Sequence, residues 1–368
     1  MHRILFICGC VEMGKDGVGD YTRNMAIELQ NANILTWIVS INDISEKNNC
    51  LTNATRILSK YSISYKQKLI DKVLKEFQPT IISLQFVPYS FHHKGIIRAY
   101  LPFFKSLSVR ATLHIMFHEL WIDIDPSPSI KTRVIGYLQR RYIKKLVQET
   151  NPILITTSNS FYVEQLRNIN IRAVELPLLS NIQLKTHPNY SSVQSIFLCT
   201  LKDKDNYFVV CFFGSIYDGW DYIAYFEKLL SNIKVLNKQL MILAIGKFGN
   251  SGIWESLCQY FLGRIFFRVS GQQNEETVST LLSYSDIGIS TTPTHLIGKS
   301  GSFVAMAQHG LKVLVPRNFY PNYRNDMFKD AVIYNSSEDL HQLEKQHLVD
   351  YNIKIKEHFI GLIKNITE

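Results

Sequence analysis

A lysine, two serines and a glycine, Lys299-Ser300-Gly301-Ser302, stand directly before the apolar helical pattern that runs from Phe303 to Gly310. The first turn of a helix carries N–H groups without intrahelical partners and a partial positive charge, so it can hold an anion. A lysine and two hydroxyls beside that turn suit a phosphate or diphosphate. Ser300 or Ser302 could instead be a plain helix cap beside a solvated Lys299. A cation at a helix start opposes the dipole, however, and an anion there removes the conflict.

Two further groups could do chemistry. Gly14-Lys15-Asp16-Gly17-Val18-Gly19-Asp20-Tyr21 follows the first apolar run, where glycines permit a sharp turn or a close backbone approach to a ligand. Its spacing is not GxGxxG and no Walker lysine–serine pair follows, so neither a dinucleotide-binding nor a P-loop reading fits. His118-Glu119 ends the run Leu113–Phe117, at the strand edge where open α/β sheets bind ligands. An imidazole there can bond a sugar hydroxyl or take a proton near neutral pH. Strand alternation puts His114 and His118 on one face and Glu119 on the other, and the pattern is not HExxH, so no metal site is expected. His92-His93 lies in a Tyr/Phe-rich loop without a distinguishable role.

The elements that must position these residues alternate short apolar runs with longer amphipathic segments, the signature of an α/β chain. Strands are predicted at 3–8, 35–40, 80–86, 111–116, 153–157 and 173–176, and again at 208–213, 240–245, 265–269, 287–290, 313–315 and 332–334. Most are apolar throughout, as parallel strands buried on both faces are. The first helix should run from Val18 to about Asn31, with Val18, Tyr21, Met25 and Leu29 on one face. Helical patterns follow at 222–236, 252–262, 275–284, 300–309 and 338–366. The polar stretch 183–205 reads as a linker. The expected domains are therefore 1–182 and 206–340, two Rossmann-like doubly wound halves, with C-terminal helices at 341–368.

At 368 residues, 46% of them hydrophobic, with 21 Phe and 19 Tyr, the chain can bury two sizeable cores. A net charge of +9 fits an anionic partner or a solvated lysine-rich surface. No basic-aromatic RNA motif or zinc-finger spacing supports nucleic acid as that partner. The six cysteines are scattered and read as reduced core thiols; Cys8-Gly9-Cys10 lacks the second pair that a metal site would need. No run is long enough for a signal h-region or a membrane span, so a soluble or peripheral protein is expected.

Several segments, in order, resemble GT-B glycosyltransferases of the large family 4-like group (glycosyl transferases group 1). Asp16-Gly17-Val18-Gly19-Asp20-Tyr21-Thr22 resembles the family's N-terminal loop. Leu113–Trp121 resembles its strand ending in a histidine–acid pair, and Phe212-Phe213-Gly214-Ser215-Ile216 the opening of its second domain. Leu243–Lys247 and Leu281–Ile289 are similar to the strand-loop and helix-strand stretches that follow. The resemblance implies two Rossmann-like domains facing across a cleft. It implies an N-terminal acceptor domain and a C-terminal donor domain, with transfer of a sugar from a nucleotide diphosphate sugar to a hydroxyl. On that pattern His118 contacts the donor sugar, and Gly17, Gly214, Lys247, Lys299, Ser300, Gly301 and Ser302 line the donor. The C-terminal helices pack back on the first domain. No cofactor or metal ion is expected.

The chain departs from the family where retaining members keep two glutamates. Ala305-Met306-Ala307 survives, but Val304 precedes it and 291–310 holds no acidic residue. The family's arginine–lysine pair is also absent from Gly214–Trp220, and Lys299 with Ser300 and Ser302 would replace its charge. Retention is expected from resemblance alone; an inverting enzyme would need a base, for which Asp16, Asp20 and Glu119 are the candidates. Other GT-B chemistry, such as nucleotide-sugar epimerisation or phosphorolysis, and a non-catalytic glycan-binding role stay open. The expected setting is cytoplasmic, peripheral at the inner face of a membrane, building surface polysaccharide on a glycan or lipid-linked acceptor.

Overall fold

A computed structural model describes residues 2–12, 16–45, 53–124, 128–184, 188–193, 196, 201–234, 236–247, 251–320, 323, 325–333 and 347–367. Gly14 and Lys15 of the glycine turn, parts of the expected linker, Cys50, Cys199, Tyr334 and residues 338–346 of the expected C-terminal helices lie outside them. The chain divides into two compact units, Met1–Leu179 with Asn352–Glu368, and Ser180–Tyr351.

The first unit is a parallel sheet with the order β3-β2-β1-β4-β5-β6-β7. Its strands are β1 (Arg3–Cys8), β2 (Leu35–Asp43), β3 (Ala54–Leu58), β4 (Ile81–Phe86), β5 (Thr112–Phe117), β6 (Leu154–Thr157) and β7 (Val174–Glu175). β1 and β4 are almost wholly buried, as strands covered by helices on both faces must be. The edge strand β3, with its polar Thr55 and Arg56, was not expected: it has no continuous apolar run to announce it.

Side-chain caps set the helix starts. Asp16 caps α1 (Gly17–Asn31), Ser62 caps α2 (Ile63–Phe77), Ser129 caps α5 (Ile130–Thr150) and Asn159 caps α6 (Ser160–Arg167). Shorter helices α3 (Pro88–Phe91) and α4 (Leu101–Ser108) follow β4. α2 and α5 end at Gln78 and Asn151, both at positive φ.

The second unit has the order β10-β9-β8-β11-β12-β13, from β8 (Tyr207–Phe213), β9 (Gln239–Ile245), β10 (Phe266–Gly271), β11 (Ile287–Ile289), β12 (Lys312–Leu314) and β13 (Val332–Ile333). Its helices are α7 (Tyr222–Lys234), α8 (Ser251–Tyr260), α9 (Glu275–Tyr284) and α10 (Gly301–Gln308). The described residues of the stretch 183–205 cluster with this unit, and the Tyr190 ring of a short 3-10 turn at Tyr190–Val193 lies 6.1 Å from Tyr284.

The last helix, α11 (Tyr351–Thr367), returns to the first unit. There Phe359 packs on His114, Lys356 lies 3.8 Å from Glu28, and His358 Nε2 is 3.1 Å from the Glu175 carbonyl.

Candidate functional site

In each sheet the strand order reverses beside the first strand of its unit, between β1 and β4 and between β8 and β11. The crevice outside the strand ends at such a point is where doubly wound sheets take ligands. The candidate residues follow strands of these two sheets, Asp16 and Gly17 after β1, His118 and Glu119 after β5, Gly214 after β8, Lys247 after β9 and Lys299–Ser302 after β11.

In the second unit, β8 ends at Gly214 with φ +91°, and a Cβ there would stand 3.2 Å from Ser302 Oγ. Helix α10 is apolar on all sides, with Phe303, Val304, Ala305 and Met306 fully buried, so it is held inside the unit and its N-terminus is fixed at this edge. Ser300 is its cap: its Oγ accepts from Phe303 N at 3.2 Å and lies 3.1 Å from Ser302 Oγ. Ser300 therefore takes the cap role weighed for it, and its hydroxyl stands next to that of Ser302. Gly301, Ser302 and Lys299 are half-buried, and the first turn holds no acidic residue. Lys247 follows β9 and is exposed.

Arg317, which sequence reasoning missed, completes this edge. It follows β12, donates from Nη1 to the Thr291 carbonyl at 3.0 Å, and lies over the rings of Tyr217 and Phe319 at 5.7 and 5.1 Å. Thr291 in turn receives Tyr217 N at 2.9 Å and donates to the Ser215 carbonyl at 3.0 Å, tying Arg317 to the loop after Gly214. Burial pulls the Arg317 guanidinium down from its ordinary value, and no carboxylate among the described residues forms an ion pair with it. The signal available in the sequence was negative: from Ile287 to Asn325 there is no Asp or Glu.

In the first unit, Asp16 caps α1, its Oδ1 accepting from Val18 N at 3.0 Å, and burial pushes its carboxyl up. Asp20 is ion-paired with Arg23. Gly19, rather than Gly17, makes the close approach: a Cβ at 19 would lie 2.1 Å from the Cys10 carbonyl oxygen, whereas Gly17 has open space around it. His118 is buried, edge-on to Tyr21 with ring centroids 4.9 Å apart, and its Nε2 lies 2.8 Å from Gln85 Oε1. Gln85 Nε2 donates to Ser83 Oγ, Ser83 Oγ meets His114 Nδ1 at 2.8 Å, and His114 Nε2 meets Thr156 Oγ1 at 2.8 Å.

Since the Thr156 hydroxyl donates to Met116 Sδ, it accepts from His114 Nε2–H. Ser83 then donates to His114 Nδ1, and His118 Nε2–H donates to Gln85. This chain fixes the His118 ring with its proton on Nε2. His114 is a neutral link, its pKa driven from 6.5 to about 3 by burial. Glu119, next to His118 in sequence, is half-buried.

The remaining sequence candidates are structural. His92 Nδ1 accepts from the N–H groups of Lys94 and Ile96, each at 3.2 Å, holding its own loop. Burial pushes the Cys10 thiol up to about 11 and raises that of Cys8 further from the thiolate, against a metal-binding or redox pair. Among the described residues no three His, Cys, Asp or Glu side chains cluster as a metal site would require.

The sequence matches no family model and no curated protein. Its structure is similar to that of Anabaena HepE in complex with UDP and glucose, at 14% identity and TM-score 0.55, covering 100% of this chain and 98% of that one. It is similar to the catalytic domain of Starch Synthase IV from Arabidopsis thaliana bound to ADP and acarbose, at 10% identity, TM-score 0.57 and full coverage of both chains. It also resembles UDP-GlcNAc 2-epimerase from Methanocaldococcus jannaschii, at 10% identity, TM-score 0.56 and 99% of each chain. The chain has the GT-B fold.

Proposed function

We propose that this protein is a glycosyltransferase that moves a sugar from a nucleotide diphosphate sugar to a hydroxyl acceptor. The observation that carries the reading is the α10 N-terminus: Ser302 stands against Gly214 at the reversal point of the second sheet, Ser300 caps the helix beside it, Lys299 precedes it, and its first turn holds no acid. HepE with UDP and the starch synthase with ADP supply the fold-level support.

In this reading the second unit holds the donor. The anomeric C–O bond to the β-phosphate breaks, the acceptor oxygen bonds to the anomeric carbon, and the acceptor proton leaves to a base or to the departing phosphate. Charge grows on the diphosphate, where the α10 N–H groups, Ser300, Gly301, Ser302, Lys299 and Arg317 stabilise it. Gly214 lets the backbone approach, and Lys247 is a further cation along the same edge. The first unit serves the acceptor, with Asp16, Asp20 and Glu119 on that side, while Gly17 borders the donor and His118 contacts the donor sugar. A retaining course asks for no enzymic base. For an inverting one Asp16 suits better than Asp20, whose carboxylate is held by Arg23; Glu119 is the third candidate.

The substrate requires neither cofactor nor metal in this reading. The acceptor is a glycan or lipid-linked sugar, met at the cytoplasmic face of a membrane during surface polysaccharide synthesis. No helix among the described residues is long and apolar enough to cross a membrane, so attachment would be peripheral.

The epimerase similarity favours a second reading, isomerisation of the nucleotide sugar itself. Incubation with a panel of UDP-, ADP-, GDP- and dTDP-sugars separates the two. Release of nucleoside diphosphate with transfer to a hydroxyl acceptor supports the first. A changed sugar still attached to its nucleotide supports the second. A panel in which no member is turned over and none shifts the melting temperature overturns both.

A further inference from the structure

Helix α5 presents an outer face that the first unit's core does not use. Gly136, Gln139, Ile143, Leu146 and Thr150 point inward. On the opposite side Ile130, Val134 and Tyr137 are 82%, 56% and 57% exposed. At 3.6 residues per turn these three continue into exposed Arg141, Lys144 and Lys145 along one stripe. Lys131 and Arg133 flank it. The sequence holds no Asp or Glu from Pro126 to Gln148, and none from Phe77 to His118, which includes the neighbouring α4 with its exposed Lys105. Among the described residues, Lys145 of the stripe lies 3.4 Å from Glu149, and no ion pair is formed by Arg141 or Lys144.

An exposed apolar patch running into a row of cations is the composition of a helix that lies in a bilayer interface, with Tyr at the headgroup level and Lys and Arg toward anionic lipid. We infer that the outer face of α5 docks this protein onto an anionic membrane surface, with Ile130, Val134 and Tyr137 entering the interface and Arg141, Lys144 and Lys145 meeting the headgroups. A second copy of this face would set Arg141, Lys144 and Lys145 against the same cations, whereas anionic lipid neutralises them. The inference deepens the lipid-linked acceptor reading and is independent of the donor site.

The test is co-sedimentation of the full chain with vesicles of equal parts phosphatidylglycerol and phosphatidylcholine, and with phosphatidylcholine alone. The expected result is binding to the mixed vesicles only, released by raising the salt. Arg141→Glu with Lys144→Glu should lower the bound fraction at least tenfold. Val134→Ser with Tyr137→Ser should weaken binding even at low salt. Each variant should keep the wild-type melting temperature and the wild-type response to UDP, so loss of docking is read apart from loss of the donor site. Equal binding to both vesicle types, unchanged binding by both variants, or a solution dimer that Val134→Ser dissociates without any vesicle binding would overturn the inference.

Discussion

Gly214 and Ser302 are joined by contact rather than by bonding: with Gly214 at φ +91°, a Cβ at that position would stand 3.2 Å from Ser302 Oγ. The end of β8 and the start of α10 can meet this closely only because residue 214 has no side chain and tolerates a left-handed backbone. Gly214→Ala should therefore lower stability by roughly 1–2 kcal/mol and weaken donor binding more than that loss explains. Urea unfolding and nucleotide titration measure the two effects. A variant as stable as wild type, with unchanged affinity, would show that the close contact is incidental.

Arg317 holds the loop after Gly214 through Thr291, and its charge has no acidic partner among the described residues. Its replacement by Gln should reduce affinity for the donor about ten- to hundredfold, as loss of one charge-assisted hydrogen bond does. Arg317→Lys should restore the charge but not the planar fork, recovering part of the affinity. Equal affinity in all three proteins would make Arg317 a loop support only.

His114 gives the chain an acid-sensitive core. Its folded pKa is about 3 against 6.5 when exposed, so below pH 6.5 the unfolded chain takes up a proton that the folded chain refuses. Its contribution to stability is complete above pH 6.5 and is lost as the pH falls from there toward 3, at up to about 1.4 kcal/mol per pH unit. Denaturant unfolding across this range should show that slope in the wild type and a shallower one in His114→Gln. The variant should start from a lower stability, because Ser83 and Thr156 lose their partner. Identical slopes would contradict the assignment of His114 as a buried neutral link.

The strands and the order of the two α/β halves were legible because buried parallel strands are written as apolar runs such as Ile4–Cys8 and Phe208–Phe213. β3 was not, since an edge strand carrying Thr55 and Arg56 has no such run. The ring contact of Tyr190 with Tyr284 was not legible, because Tyr190 stands among polar, turn-forming residues. At the site, a serine cap was legible before Phe303, but that it is Ser300 and not Ser302 is set by where the helix starts. Arg317 could not be found that way: its position depends on where β12 ends relative to Thr291 and Tyr217, a relation set by sheet order and not by spacing. Gly17 and Gly19 look alike in sequence, and only packing against Cys10 tells them apart.

The central claim is that the α10 N-terminus holds the donor's diphosphate, and calorimetric titration with UDP and ADP tests it most directly. The wild type should bind at least one of them. Lys299→Ala and Ser302→Ala should each bind it at least tenfold more weakly at an unchanged melting temperature. Ser300→Ala should lose stability as well, about 1 kcal/mol, through its cap. Wild-type affinity in both Lys299→Ala and Ser302→Ala, or no nucleoside diphosphate bound by the wild type, would contradict the account.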